Sequence, residues 1–258
     1  MNLTRSRLFL CLCSILAACG GTSSDDIEGV SSGHDATLAQ QDPLAFADEL
    51  FAFDPTLDPT RTVPENVAAI VSRAQSTLGS CVTITATTDT VNISTPTGGC
   101  TTASGLSFTG SFSLAVSKSG SALTVALSWL NVELQGTSYS GTTTFVTSTG
   151  STFSVTFALT RGGKSVSGTL TVTGSPGQIT SSGSLVNGAT TAVFTNVIWQ
   201  QGECYPDSGT LAITVGRVTT TYSFTASTPT TGTVTSARGG TLQLPAYGSC
   251  PPSTDGGK

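Results

Sequence analysis

From Cys81 onward the chain alternates apolar and small polar residues with a period of two, which restricts it to a sheet with one wet face. Leu106, Phe108, Phe112, Leu114 and Val116 alternate with Ser, Thr and Gly. Phe153, Val155, Phe157 and Leu159 repeat the pattern, as do Leu211, Ile213 and Val215. Ser119-Gly120, Thr149-Gly150, Gly162-Gly163 and Asn187-Gly188 fall between such runs and read as hairpin turns. The spacing predicts about a dozen antiparallel strands, many of about ten residues, which is long for a globular sheet. The expected fold is all-β with short N-terminal helices. It is a large curved antiparallel sheet, open barrel-like or sandwich-like, covered by one or two helices.

One run breaks phase. Leu123, Val125, Leu127 and Trp129 are odd-numbered, whereas Leu130, Val132 and Leu134 put the apolar residues on even positions. A bulge between Ser128 and Leu130 would exchange the faces; burial of both faces would also explain it. Val193-Phe194 followed by Val197-Ile198-Trp199 raises the same alternatives.

Two helices are expected ahead of the strands. Asp42-Pro43 reads as an N-cap with proline at the first helical position, and Leu44, Ala47, Leu50 and Phe51 carry the apolar face of a helix over about 42–53. The second, over 62–79, opens on the capping box Thr62-Val63-Pro64-Glu65 and stops at Gly79. Val67, Ile70, Val71, Ala74 and Leu78 give it one apolar stripe, which needs a sheet to cover. Residues 19–41, rich in Gly, Ser, Asp and Thr, read as a flexible tether that contains His34, the one histidine in the sequence. A single β-rich domain over 42–250 and a disordered tail over 251–258 complete the organisation.

The first residues carry an address. Arg5 and Arg7 precede the apolar run Leu8–Leu16, which is too short to span a bilayer, and Leu16-Ala17-Ala18-Cys19 is a small-residue cleavage site ending in cysteine. These four residues resemble the lipobox of bacterial lipoproteins. The resemblance covers about the first twenty residues and implies that 1–18 is a signal peptide. It also implies that Cys19 becomes the acylated (diacylglycerol- and palmitate-type) first residue of a protein held in the cell envelope. Gly20 in place of Asp after the cysteine favours the outer membrane, by the same resemblance.

Cysteine arithmetic agrees with that expectation. Of seven cysteines, Cys11 and Cys13 lie in the leader; with Cys19 acylated, Cys81, Cys100, Cys204 and Cys250 remain, an even set in an oxidising compartment. Three pairings are possible. Cys81 with Cys100 and Cys204 with Cys250 are expected, because each pair brackets a compact group of strands. A loop of roughly 20 residues closed in this way contributes about 3 kcal/mol by chain entropy.

Charge and side-chain chemistry exclude several function classes. Only 10% of residues are charged, and the net charge of -5 comes mainly from ten acids between Asp25 and Glu65. The strand region is nearly neutral and has no basic patch, so nucleic acid is not an expected partner. With His34 in the tether, the body has no imidazole for a Ser-His-Asp or Cys-His arrangement. The body cysteines lack Cys-x-x-Cys spacing, so no metal is expected, and no phosphate-loop or dinucleotide motif suggests a cofactor. Glu133, Glu203 and Asp207 are the candidates for a general acid–base pair, which would have to stand about 5 to 9 Å apart. Trp129, Trp199, Tyr139, Tyr205, Tyr222 and Tyr247 are either core packing or a sugar-stacking platform.

The functional expectation is thus a lipid-anchored, non-enzymatic structural or recognition module of the envelope. Its one named partner is the membrane that holds the lipid, and no protein or glycan is identified. The alternative is a carrier of an apolar lipid or lipoprotein. This rests on an outline likeness to unclosed barrels with helical lids, which no motif carries. A carboxylate-dependent glycan enzyme is a weaker alternative. A membrane-spanning barrel lacks the aromatic girdles expected of it, with two Trp and four Tyr in all.

Overall fold

The computed structural model describes residues 24–51, 56–102, 105–175, 177–200, 203–236 and 239–244, with side chains from residue 32 onward. Helices α1 (Ser24–Leu50) and α2 (Val63–Leu78) lead into the strands β1 (Thr83–Ala86), β2 (Thr90–Ser94), β3 (Cys100–Thr101), β4 (Ser107–Ser119), β5 (Ala122–Leu134) and β6 (Thr137–Thr147). There follow β7 (Thr152–Arg161), β8 (Lys164–Ser175), β9 (Gln178–Asn187), β10 (Thr190–Gln200), β11 (Ser208–Val215) and β12 (Val218–Ser223). A one-turn helix α3 (Thr228–Thr231) and a hairpin of β13 (Thr233–Thr235) and β14 (Thr241–Gln243) end the described chain.

Strands β1 to β12 form one antiparallel sheet, ordered as in the chain except that β3 pairs beside β4. Tight Gly-containing turns join most neighbours, so each long strand pairs with the one just made. The sheet is open, with β1 and β12 as its two edges. Its curvature follows from what one helix touches. α1 packs on β9, β10, β11 and β14, while its Phe46 ring lies 5.2 Å from Phe108, 4.6 Å from Phe112 and 5.2 Å from Trp129. Phe51 lies 5.1 Å from Phe145 of β6. A flat sheet could not place β4 and β11 against one helix, so the strands wrap around α1.

Glycine inside the strands permits that bend. Gly168 of β8 has φ +143°, and a Cβ there would stand 2.2 Å from the Ser184 carbonyl oxygen and 2.9 Å from the Leu185 Cα on β9. Only a residue without a Cβ allows the two backbones to approach so closely. The bare backbone is covered by the Leu185 side chain reaching across from β9.

The phase change in β5 is a bulge. Leu130 and Asn131 both face outward, the register against β6 shifts between Trp129 and Val132, and Asn131 takes φ 55°. Val132 and Leu134 thereby return to the inner face with Trp129. β10 uses the same device at Thr195 and Asn196, with Asn196 at φ 47°.

Helix α2 matches its sequence signals closely. Thr62 and Glu65 make the reciprocal capping box, Gly79 ends the helix, and Val67, Ile70, Ala74 and Leu78 are buried, with Val71 partly buried. It lies over β1, β2 and β4, near one edge of the sheet. Helix α1 departs from expectation. It begins at Ser24 instead of at Pro43, so most of the stretch expected as a tether is helical, and Pro43 lies inside it. Ala36, Thr37, Ala39, Gln40 and Gln41 are all buried. Held in the curve of the sheet, this stretch of helix keeps little wet face, with His34, Asp35 and Leu38 only half-buried. Its buried positions over 36–41 are small or uncharged, and the periodic signal that marks a surface helix is lost.

Candidate functional site

The inner face of β7 runs Phe153, Val155, Phe157, Leu159 and then Arg161, so strict alternation carries a guanidinium into phase with the apolar row. Register puts Arg161 opposite Tyr139, the first inner residue of β6. The Arg161 Nε donates to the Tyr139 hydroxyl at 2.8 Å and lies 3.5 Å from the Asp42 carboxylate of α1. The Tyr139 hydroxyl in turn donates to Asp42 through a short hydrogen bond. Asp35, two turns earlier on α1, is 3.9 Å from Arg161 Nη1 and pairs with Lys164 at the rim.

The cluster grades from buried to wet. The Arg161 and Asp42 side chains are 10% and 15% exposed, whereas Lys164 is 56% exposed. Burial raises the Asp42 carboxyl above its ordinary value, although Tyr139 and Arg161 oppose the shift. Burial likewise raises the Tyr139 phenol, with the neighbouring carboxylate adding to it. The phenol is therefore a firm donor at neutral pH. Burial works against the Arg161 charge, but the phenol and carboxylates beside it more than compensate. Both carboxylates come from α1, and both cations and the phenol come from the sheet.

Further along α1 the interior is less well matched. Gln40 Nε2 donates to Ser181 Oγ at 2.8 Å, but Gln40 Oε1 and both side-chain amide atoms of Gln41 are buried without a hydrogen-bond partner among the described residues. Such groups are uncommon in a native interior and destabilise it. Beyond them the aromatic cage around Phe46 begins. Trp129 donates its indole N–H to Thr143 Oγ1 at 3.1 Å and lies 5.5 Å from Tyr139, so the polar cluster and the cage are continuous.

The residues singled out from sequence are scattered by comparison. Glu133 faces outward on β5 and Asp207 precedes β11, with five strands of the sheet between them. Asp207 accepts from Gln200 Nε2 at 3.0 Å and Ser208 Oγ at 3.0 Å. Glu203 follows β10, on the Asp207 side of the sheet. Trp129, Trp199, Tyr139, Tyr205 and Tyr222 are buried, which makes them packing residues and no flat platform; Tyr247 lies outside the described residues. His34, expected in a tether, is on α1 and half-buried. Among the described residues no three His, Cys, Asp or Glu side chains gather as a metal site would require. No described helix is long and apolar enough to cross a membrane.

Cys81 and Cys100 form a disulfide with Cα atoms 5.3 Å apart, which ties the end of α2 to β3. Cys204 is disulfide-bonded as well, while its expected partner Cys250 lies outside the described residues, as does Cys19. Sequence reasoning did not find Asp35, Arg161 or Lys164; it named Asp42 as a helix cap and Tyr139 among the aromatic candidates, without bringing them together. A charge in phase with an apolar row, as Arg161 is, was the available signal.

Comparison with protein-family models, curated proteins and solved structures yields no match.

Proposed function

We propose that the protein is a lipid-anchored, non-enzymatic module of the bacterial cell envelope, tethered through Cys19 and acting by structure or recognition. The observation that carries the reading is that the concave face, where a curved sheet houses its chemistry, is filled by the chain's own helix. Ala36, Ala39, Phe46, Leu50 and Phe51 are all fully buried there. The convex face supports a recognition role. It is built of Ser and Thr rows such as Thr156 beside Thr169 and Thr214 beside Thr219, with few charges to repel a partner. Metabolic labelling with palmitate, followed by membrane fractionation, tests the anchor. Wild-type protein should take up label and sediment with membranes. Cys19→Ser should do neither, and a Cys19→Ser protein that is normally processed and still membrane-bound overturns the reading.

A second reading, a carrier of an apolar ligand, is favoured by the open sheet and by Gln40 Oε1 and the Gln41 amide, which are buried without a partner among the described residues. It requires α1 to leave its place.

A further inference from the structure

We infer that the concave face of the sheet is a binding trough for an anionic single-chain amphiphile of the fatty-acid class, and that α1 occupies it as a built-in substitute for that ligand. The inference rests on the carrier reading and names its ligand. α1 presents a carboxylate, Asp42, followed along the helix by Phe46 and Leu50 and, just past its end, by Phe51, all three apolar side chains buried. Nine residues of helix span about 14 Å, comparable to a medium-length acyl chain. The sheet offers the complementary sequence of groups: Arg161 and Tyr139 at the head, then Trp129, Phe112 and Phe108, with Phe145 at the far end. A fatty acid laid along this path would exchange one carboxylate for another on the same guanidinium and phenol. Its tail would replace the Phe46 and Phe51 rings.

Charge segregation supports the exchange. Asp35 and Asp42 belong to α1, so its departure leaves Arg161 and Lys164 without either acidic partner at the mouth of an apolar trough. That combination selects an anionic head and rejects a neutral one. The helix is also a poor permanent filler, with Pro43 in its interior and with Gln40 Oε1 and the Gln41 amide buried and unmatched among the described residues. Topology permits its removal. Every strand of the sheet pairs with other strands, and α1 joins the described body through its C-terminal end alone. The disulfide holds α2 at the sheet edge in the meantime.

The test uses the full mature chain with a dansylated undecanoic acid as fluorescent probe, and dodecanoate and its methyl ester as competitors. Wild-type protein should bind the probe weakly, Asp42→Asn at least tenfold more tightly, and Asp42→Asn/Arg161→Gln at least tenfold more weakly than Asp42→Asn. Dodecanoate should displace the probe and the methyl ester should not. In the wild-type chain, saturating dodecanoate should speed amide hydrogen exchange across residues 36–50 of α1 while β5 to β8 stay protected. This arm needs no variant, so an unfolded mutant cannot obscure it, and unchanged exchange in α1 overturns the inference. Equal binding by wild type and Asp42→Asn overturns it too. Displacement by the methyl ester as readily as by dodecanoate would keep a carrier and overturn the anionic site, whereas absence of binding in every form would overturn both.

Discussion

Replacing Gly168 with alanine tests whether close backbone contact between β8 and β9 bends the sheet. The added Cβ would stand 2.2 Å from the Ser184 oxygen and 2.9 Å from the Leu185 Cα, both backbone atoms of a paired strand that cannot swing aside. Relieving that overlap costs about 1–3 kcal/mol. Holding a non-glycine residue at φ +143° adds roughly 1–3 kcal/mol. The expected loss is therefore about 2–6 kcal/mol. Gly188, in the β9–β10 turn, is the control: its φ is +62° and a Cβ there meets nothing within 4 Å. Gly188→Ala bears only the left-handed penalty of roughly 1–2 kcal/mol, partly offset by about 0.4–1 kcal/mol from a less flexible unfolded chain. Urea unfolding of both variants, with disulfides kept oxidised, gives the comparison at constant m-value. If Gly168→Ala costs no more than Gly188→Ala, the close approach does not bend the sheet and the argument fails.

Ile70 of α2 is fully buried, so Ile70→Ala should lower stability by about 2–5 kcal/mol in the same assay; a loss below about 1 kcal/mol would mean that α2 is not packed on the sheet. Thr62→Ala removes one half of the capping box and should cost about 1 kcal/mol. Hydrogen bonds from the Thr62 backbone and side chain hold Glu65 below the ordinary carboxylate range. Its contribution is therefore present above the unfolded value and lost as pH falls through the lower folded value. Glu65→Gln should flatten the acid limb of the stability profile, and an unchanged limb would assign acid sensitivity elsewhere. Non-reducing peptide mapping should recover Cys204 joined to Cys250, and recovery of Cys204 with any other cysteine would refute that pairing.

The strands, their bulges and α2 were legible because each leaves a local imprint. Period two marks a half-buried strand. The slip from Trp129 to Val132 marks the bulge, and Thr62-x-x-Glu65 with Gly79 brackets the helix. α1 left such a mark only over its C-terminal turns, through Leu44, Ala47 and Leu50. Asp42-Pro43 resembles a helix start because proline is favoured at a first turn, yet burial in the trough carries the helix straight through it. The cluster was hidden for a different reason. Asp42, Tyr139 and Arg161 are 97 and 119 residues apart as counted from Asp42, and only the register of β6 on β7 and the path of α1 bring them together.

The sheet adds each main strand to the one before it, so the hairpins from β4 to β12 can form in the order in which the chain emerges. The first helix cannot follow that order. Part of its seat is made by β9, β10, β11 and β14, among the last parts of the described chain to appear. During synthesis α1 must therefore wait, outside the growing sheet, until those strands have been made. Its docking on β14 has to follow the laying down of the whole sheet.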